Sequence, residues 1–252
     1  ERGVTVLFGG RDAAGNLLDE TWLYDGTNWT RATPAVSPPR RVNHAMAYDT
    51  VSQRVLLFGG RDGASAHTAS DRFFKDFWAW DGVNWTELDG VPADMPALYN
   101  HAMAHDANRG VTVLYGGGYF EMKTVTDFAG NTRTRMEYTS STNTWEWNGT
   151  TWTNRNLSSG MTPNTPPIMT YNSDSKRILA MSFNGNNGLW AYDGASWVKT
   201  NTVGKVGPMA YDAARKEVVV FSGGTHDGGA ASAATWLLRG TNWLAGGFFL
   251  GH

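Results

Sequence analysis

Short apolar runs recur along the chain, and the clearest copies each end in a pair of glycines. They read VTVLFGG from Val4, RVLLFGG from Arg54 and VTVLYGGG from Val111. Two degenerate copies follow, RILAMSFNG from Arg177 and EVVVFSGG from Glu217. Apolar runs of this length, bounded by glycine and polar residues, are typical of buried β-strands.

A second phrase follows each apolar run and contains two tryptophans seven residues apart. In most copies an Asp-Gly or Asn-Gly pair lies between them, as in TWLYDGTNWT from Thr21, and this pair is a strong signal for a tight hairpin. The first tryptophans are Trp22, Trp78, Trp145, Trp190 and Trp236, and the second are Trp29, Trp85, Trp152, Trp197 and Trp243. A third phrase, HAMAYD in its clearest form, precedes four of the five runs. Each unit therefore predicts four short strands, which we name a, b, c and d in chain order.

Four-stranded units repeated at this period predict an all-β protein, a β-propeller with one unit per blade. We predict a single domain, 1–252, with five blades at approximately 1–34, 42–90, 98–157, 166–201 and 206–245. The first unit begins directly at strand b, so the tail 246–252, which contains Phe248, Phe249 and Leu250, is predicted to close the ring as the missing inner strand. The competing interpretation is a fragment of a ring with six or seven blades, within the usual range for propellers.

The glycine pairs and the tryptophans are interpreted as structural. Glycine lets backbones approach closely where strand b ends, and a large indole can fill the wedge between neighbouring blades. These residues resemble the kelch repeat, which is also found in the propeller domain of galactose oxidase, and the resemblance covers nearly the whole chain. It implies a kelch-like propeller but no particular function, because such a fold carries many functions. The copper-radical cofactor of galactose oxidase needs a Cys–Tyr crosslink, which a chain without cysteine cannot form.

Composition and charge disfavour some classes of binding partner. The 252 residues include 21 basic and 23 acidic side chains, and this balance disfavours nucleic acid and an anionic membrane surface. No apolar run is long enough for membrane insertion. The absence of cysteine excludes disulfides and thiolate chemistry. The chain begins at Glu1 rather than Met, and we expect a mature or excised form in an extracellular, periplasmic or cell-surface location.

Because successive strands alternate in direction, the b–c and d–a loops emerge on one face of the predicted ring. That face carries the long loops that begin at Arg11, Arg61 and Gly118, and long loops on a rigid scaffold are the usual place for binding. We expect a ligand-binding site at the mouth of the central channel. Its candidate residues are Arg11, Asp12, Arg40, Arg41, Asn43, His44, Arg61, Asp62, Tyr99, Asn100, His101, Tyr119, Glu121, His226 and Asp227.

Each of these groups also has a structural interpretation. The Arg-Asp pairs after Gly-Gly fit local ion pairs or turn caps, and the Asn-His pairs fit groups that satisfy the backbone where strand a begins. His44, His101 and His226 are weak metal candidates, because imidazole is a good ligand but the sequence shows no local ligand spacing. Asn- and Asp-rich loops lack the EF-hand spacing for calcium. We therefore expect no cofactor.

The favoured function is a non-catalytic module that binds a protein, a peptide or a glycan through the long-loop face. The alternative is an enzyme of the lyase, cyclase or hydrolase type, with a histidine-containing and metal-dependent site at the same mouth. No residue stands out as a nucleophile or base, since phosphate-binding and nucleophile-elbow motifs are missing. A further alternative is a structural subunit of a larger surface assembly.

Overall fold

The computed structural model describes residues 3–63, 71–157, 161, 166–182, 188–201, 207–222, 234–239 and 242–246. Regular secondary structure within these ranges is entirely β, with twenty strands in five antiparallel sheets. No helix long and apolar enough to cross a membrane occurs in the same ranges.

The five sheets follow one another along the chain as blades 1 to 5. Blade 1 contains β1 (Thr5–Phe8), β2 (Thr21–Tyr24) and β3 (Trp29–Ala32). Blade 2 contains β4 (Ala45–Asp49), β5 (Arg54–Phe58), β6 (Phe77–Trp80) and β7 (Trp85–Leu88). Blade 3 contains β8 (Tyr99–Asp106), β9 (Val111–Thr126), β10 (Thr132–Ser140), β11 (Thr144–Trp147) and β12 (Trp152–Asn154). Blade 4 contains β13 (Ile168–Asn172), β14 (Arg177–Ser182), β15 (Gly188–Tyr192) and β16 (Trp197–Asn201). Blade 5 contains β17 (Met209–Asp212), β18 (Glu217–Ser222), β19 (Ala234–Arg239) and β20 (Asn242–Gly246).

The sheets are arranged radially, as a propeller requires. Their inner strands contact one another in the order β4, β8, β13 and β17. Four clusters of buried apolar side chains join blade 1 to blade 2 and continue in sequence to blade 5. The core therefore consists of layers between blades, and the predicted all-β propeller with five blades is confirmed.

The turn between strands c and d is built as its sequence predicts. Asp25 accepts hydrogen bonds from the backbone N–H groups of Thr27 and Asn28, at 2.7 Å each. These bonds favour the ionised carboxylate and lower the pKa of Asp25. Asp81 and Asp193 hold the same turn in blades 2 and 4.

The glycine pair at the end of strand b is required by two close backbone approaches. Gly59 has a φ of 65°, and a Cβ there would collide with the carbonyl oxygen of Leu98, where the chain enters blade 3. Gly60 has a φ of 94°, and its Cβ would lie 2.8 Å from the carbonyl oxygen of Val42 beside its own blade's inner strand. The first glycine thus lets the next blade approach, and the second lets strand b close on strand a.

Aromatic pairs fill the wedges between blades. The residue before each clear glycine pair packs against the second tryptophan of the next blade. The ring-centroid distances are 5.2 Å for Phe8–Trp85, 5.9 Å for Phe58–Trp152 and 5.0 Å for Tyr115–Trp197. The predicted structural role of these tryptophans is therefore confirmed in blades 2 to 4.

Blade 1 differs from the others, because its described part has three strands and β1 forms one edge. Its second tryptophan, Trp29, is 48% exposed. A cleft of about 660 Å³ lies between β1 and blade 2, lined by Val4, Val6, Tyr48 and Trp80 among others. The predicted closing strand, with Phe248, Phe249 and Leu250, lies outside the described residues.

The segment that begins at Gly118 corrects one expectation. It is not an irregular loop, since β9 runs on from the blade to Thr126 and pairs with β10 as a long antiparallel hairpin. The turn is closed by Asp127, whose N–H donates to Asn131 O at 2.9 Å, and Gly130 adopts a φ of 83°. The longest insertion is therefore an ordered arm on the long-loop face.

Candidate functional site

Two asparagines join blades 2 and 3 where their inner strands begin. Asn43 and Asn100 adopt left-handed backbone conformations, with φ values of 60° and 56°. The N–H of Asn100 donates to the carbonyl oxygen of Asn43 at 2.9 Å. The structure thus brings the two predicted Asn-His pairs together where these inner strands begin, and the asparagine of each pair links neighbouring blades.

Arg61 lies beneath this link and is only 7% exposed. Its Nη1 donates to Asp71 Oδ2 at 2.7 Å, and its Nε donates to Asn43 Oδ1 at 3.3 Å. Its guanidinium also lies 5.8 Å from the ring centroid of Tyr99. Arg61 therefore forms a buried ion pair with Asp71, rather than with the adjacent Asp62.

Tyr99 forms the floor of a group of aromatic side chains. Phe73 from blade 2 lies 5.3 Å from Tyr99 and 5.2 Å from Phe120 of the hairpin. Tyr138, on the opposite hairpin strand, lies 5.8 Å from Phe120. Tyr99 is buried, which raises its pKa to about 12, whereas Tyr138 is 48% exposed. We name Phe73, Phe120 and Tyr138 the aromatic patch.

The two histidines are held as neutral groups, with His101 buried and His44 partly buried. His101 Nε2 lies 3.1 Å from the carbonyl oxygen of Phe58, so this nitrogen carries the proton. Its Nδ1 is buried and has no hydrogen-bond partner within the described part of the chain. Burial lowers the pKa of His101 to about 3 and that of His44 to about 4. Each ring packs edge-on against the aromatic residue that ends strand b of the preceding blade, Phe8 or Phe58. Both histidines therefore contribute to packing between blades.

The Arg-Asp pairs have local partners. Arg11 of blade 1 donates to the carbonyl oxygen of Gly63 in the blade 2 loop, so it connects two loops. Asp12 accepts hydrogen bonds from the backbone and side chain of Asn16, at 2.8 Å each, which lower the Asp12 pKa. Asp62 accepts the N–H of Arg72 at 2.9 Å. Asp12 and Asp62 thus fit the turn-cap interpretation, and Arg61 forms its ion pair with Asp71 instead of the adjacent aspartate.

The adjacent arginines Arg40 and Arg41 differ in environment. Arg40 is exposed. Arg41 is fully buried, forms two hydrogen bonds of 2.6 Å to the carboxylate of Asp76, and lies 4.0 Å from the Phe74 ring centroid. Asp76 also accepts the indole N–H of Trp78 at 2.7 Å. Arg41 thus stabilises the packing of blade 2 and is not presented to a surface ligand.

The remaining candidates are dispersed. Tyr119 packs against the core between blades 2 and 3. Glu121 accepts the hydroxyl of Thr139 at 2.6 Å on the hairpin, and this bond lowers its pKa. His226 and Asp227 lie outside the described residues.

Sequence reasoning missed the residues that complete this region, namely Asp71, Phe73, Asp76, Phe120 and Tyr138. One local signal was available, because an acidic residue stands two positions before the first tryptophan in blades 1 and 2, and Glu20 accepts the Trp22 indole N–H at 2.9 Å as Asp76 does that of Trp78. The aromatic patch had no such signal, since its members come from different blades.

This region is chiefly a surface of aromatic side chains. The described residues contain no group of three or more histidine, aspartate or glutamate side chains placed to hold a metal ion. The exposed edges of the aromatic rings form an apolar surface, and the Arg61–Asp71 ion pair lies beneath it. Such a surface suits a ligand that packs against rings and hydrogen-bonds at its margin.

Comparisons with known proteins support the fold and identify relatives that match part of the sequence. No family model matches the chain. A stretch of 122 residues is 34% identical to Mei4-dependent protein 6 of Schizosaccharomyces pombe, covering 44% of this chain and 17% of that protein. A stretch of 120 residues is 30% identical to tRNA wybutosine-synthesizing protein 4 of Aspergillus fumigatus, covering 46% of this chain and 11% of that protein. The matched stretches thus span less than a fifth of these relatives.

The solved structure of YjhT matches over 97% of this chain and 81% of that chain, with a TM-score of 0.60 and 12% identity. At this identity the likeness concerns the fold alone. This chain is a β-propeller.

Proposed function

We propose that this propeller is of the kelch type and acts as a non-catalytic binding module for a protein or peptide. The observation that carries the proposal is the aromatic patch, which two blades assemble on the long-loop face. The proposal of the kelch type is supported by the Gly-Gly strand ends and the paired tryptophans, both of which have structural roles in the fold.

The composition of the patch supports a protein or peptide ligand. Aromatic side chains concentrate binding energy at protein interfaces, especially where polar groups surround them. Phe73 and Phe120 are half-buried and in contact at 5.2 Å, so they are held in place before a ligand arrives. Preorganised rings lose little conformational entropy on binding. His44 and His101 pack against Phe8 and Phe58 with lowered pKa values, which does not favour acid–base catalysis at this surface.

A displayed peptide library and a glycan array would test the proposal, with Tyr138→Ala and Tyr48→Ala as matched variants. Tyr48 is 40% exposed and lies beside the cleft at β1 rather than in the patch. Loss of an aromatic anchor should raise the dissociation constant of the selected ligand about thirtyfold. Tyr138→Ala should therefore lose binding, and Tyr48→Ala should retain it. Selection of glycans alone, or binding that depends on Tyr48 instead, would overturn the proposal.

A further inference from the structure

The charged face of the β9–β10 hairpin has like charges directly opposite each other. The register pairs Glu121 with Glu137 and Lys123 with Arg135. Like charges at opposed positions of an antiparallel pair are destabilising. The directly opposed side chains therefore repel one another, and the compensating ion pairs run along the strands and diagonally between them.

Within the hairpin, the ion pairs that offset this repulsion lie mainly between residues of the same strand. Lys123 Nζ lies 3.0 Å from Glu121 Oε1 on its own strand and 4.0 Å from Glu137 Oε2. Arg135 Nε donates to Glu137 Oε1 at 2.6 Å, again on the same strand. Across the hairpin, the row formed by Glu121 and Glu137 is acidic, and the neighbouring row formed by Lys123 and Arg135 is basic.

The other face of the hairpin is apolar and exposed. Met122 lies opposite Met136, and Phe120 lies opposite Tyr138. Met122 is 62% exposed and Met136 is 45% exposed. The distal hairpin thus leaves a methionine pair in solvent beyond the aromatic patch.

The outer edge of β10 is available for pairing. In the described part of the chain, β10 pairs with β9 alone. Hydrogen-bonded and non-hydrogen-bonded pairs alternate along an antiparallel ribbon, and the Asp127 N–H donates to Asn131 O at the turn. Counting from that pair, Thr132, Thr134 and Met136 direct their N–H and C=O groups to the outer edge. Such an edge is a ready template for another strand.

We propose that β10 pairs antiparallel with β10 of a second copy of this chain, about a two-fold axis at Met136. In this register Arg135 faces Glu137 of the second copy, and the symmetry repeats the contact. Each basic row then continues into an acidic row across the new sheet. Shifting the register by two residues would instead oppose Arg135 to Arg135 or Glu137 to Glu137, so the charges select one pairing.

The apolar face supports the same register. The two Met136 side chains become neighbours, flanked by Met122 on each outer side, so four methionines form one row across a four-stranded sheet. Apolar side chains that are exposed in one copy are thereby covered. The two-fold symmetric pairing uses the same surface on both copies, as in most homodimers. The pairing does not rest on the proposed ligand, but the same register places Thr134 of the second copy opposite Tyr138, at the border of the aromatic patch.

Charge exchange tests the pairing by sedimentation velocity. The wild-type chain should show a reversible monomer–dimer equilibrium in the micromolar range. Arg135→Glu or Glu137→Arg alone creates two like-charge pairs per dimer, and the dissociation constant should rise about tenfold. An equimolar mixture of these two variants should form heterodimers, since the glutamate introduced in one variant would then face the arginine introduced in the other. Arg215→Glu, which breaks the exposed Arg215–Asp212 pair on blade 5, should leave the equilibrium unchanged.

A crosslink locates the axis. Because the chain has no cysteine, Met136→Cys introduces a single thiol at the proposed dyad, and mild oxidation should give a disulfide-linked dimer. Phe128→Cys, at the exposed hairpin tip, should remain mostly monomeric. A wild-type chain that stays monomeric at submillimolar concentration, or a mixture of the two charge variants that does not associate, would overturn the proposal.

Discussion

The histidines at the start of the inner strands couple the stability of the fold to pH. Their ordinary pKa of 6.5 falls to about 4 for His44 and about 3 for His101 in the folded chain. Below pH 6.5 the unfolded chain therefore binds protons that the folded chain does not. The stabilisation from neutral histidine is complete above that pH and is lost as pH falls toward the folded pKa values, by up to about 1.4 kcal/mol per pH unit and histidine.

We expect His101→Gln to flatten this dependence. Glutamine can donate to the Phe58 carbonyl as His101 does, but it does not titrate. The free energy of unfolding by urea, measured at pH 7 and at lower pH, should fall more for the wild type than for the variant. Identical pH profiles would show that His101 is not buried in its neutral form.

In two of the wedges between blades, one threonine hydroxyl accepts the hydrogen bond of a buried indole N–H. Trp197 Nε1 donates to Thr144 Oγ1 of the preceding blade at 2.9 Å, and Trp85 Nε1 donates to Thr21 Oγ1 at the same distance. Phe77 occupies the equivalent place in blade 2, and the buried Trp152 indole N–H has no hydrogen-bond partner among the described residues. In this wedge the Phe77 and Trp152 rings pack against each other at a centroid distance of 5.1 Å.

Thr144→Val tests how much this hydrogen bond contributes. Valine keeps the shape but leaves the Trp197 N–H unsatisfied, so we expect a loss of about 1–3 kcal/mol. Thr144→Ser, which retains the hydroxyl, should lose less. Equal unfolding midpoints for the two variants in urea would argue that the indole N–H finds another acceptor.

Among the elements, the end of strand b shows how glycine lets neighbouring blades pack closely enough to form the ring. Gly59 and Gly10 both have positive φ values, 65° and 97°, but a Cβ on Gly10 meets nothing within 4 Å while one on Gly59 collides with the carbonyl oxygen of Leu98. Gly10→Ala should lose about 1–2 kcal/mol from its backbone conformation alone. Gly59→Ala should lose about a further 1–3 kcal/mol from the collision. Urea unfolding checks the difference, and equal losses would mean that blade 3 moves aside without penalty.

The elements that sequence predicts are those whose signals are local. The apolar runs, the Asp-Gly turns and the tryptophan spacing identify strands a to d, because each signal lies within a few residues. The hairpin of β9 and β10 was expected to be a loop, since it interrupts the repeat, although Phe120, Met122 and Thr124 alternate with polar residues. At the site, the repeat assigns Asn43 and Asn100 to equivalent positions, and the structure joins them through the Asn100 N–H. The repeat could not show that Arg41 and Arg61 are buried, because their partners Asp76 and Asp71 lie far along the chain, and only Asp76 occupies a position that another blade repeats.

For the whole molecule, the open feature is the inner position of blade 1. Inner strands run from β4 to β17, and between these two the described chain offers the edge of β1 and the cleft of about 660 Å³. Exposed Leu7 and Trp29 lie in the same blade. A short apolar strand at this position would pair with β1 and cover Tyr48 and Val4.

The tail 246–252, of which Gly246 already pairs in β20, remains the segment that we expect to supply this strand. Phe248 and Phe249 would then face the two neighbouring blades from opposite sides of one strand. Replacing either with alanine should lose about 3–5 kcal/mol, as for a buried phenylalanine. The matched control is Phe128→Ala, since Phe128 is fully exposed at the hairpin tip and its loss should change the free energy of unfolding by no more than about 0.5 kcal/mol. Urea unfolding distinguishes the two cases. If the tail variants are as stable as the control, the edge of β1 is covered by something other than this tail, and the cleft becomes a second place to look for a bound peptide.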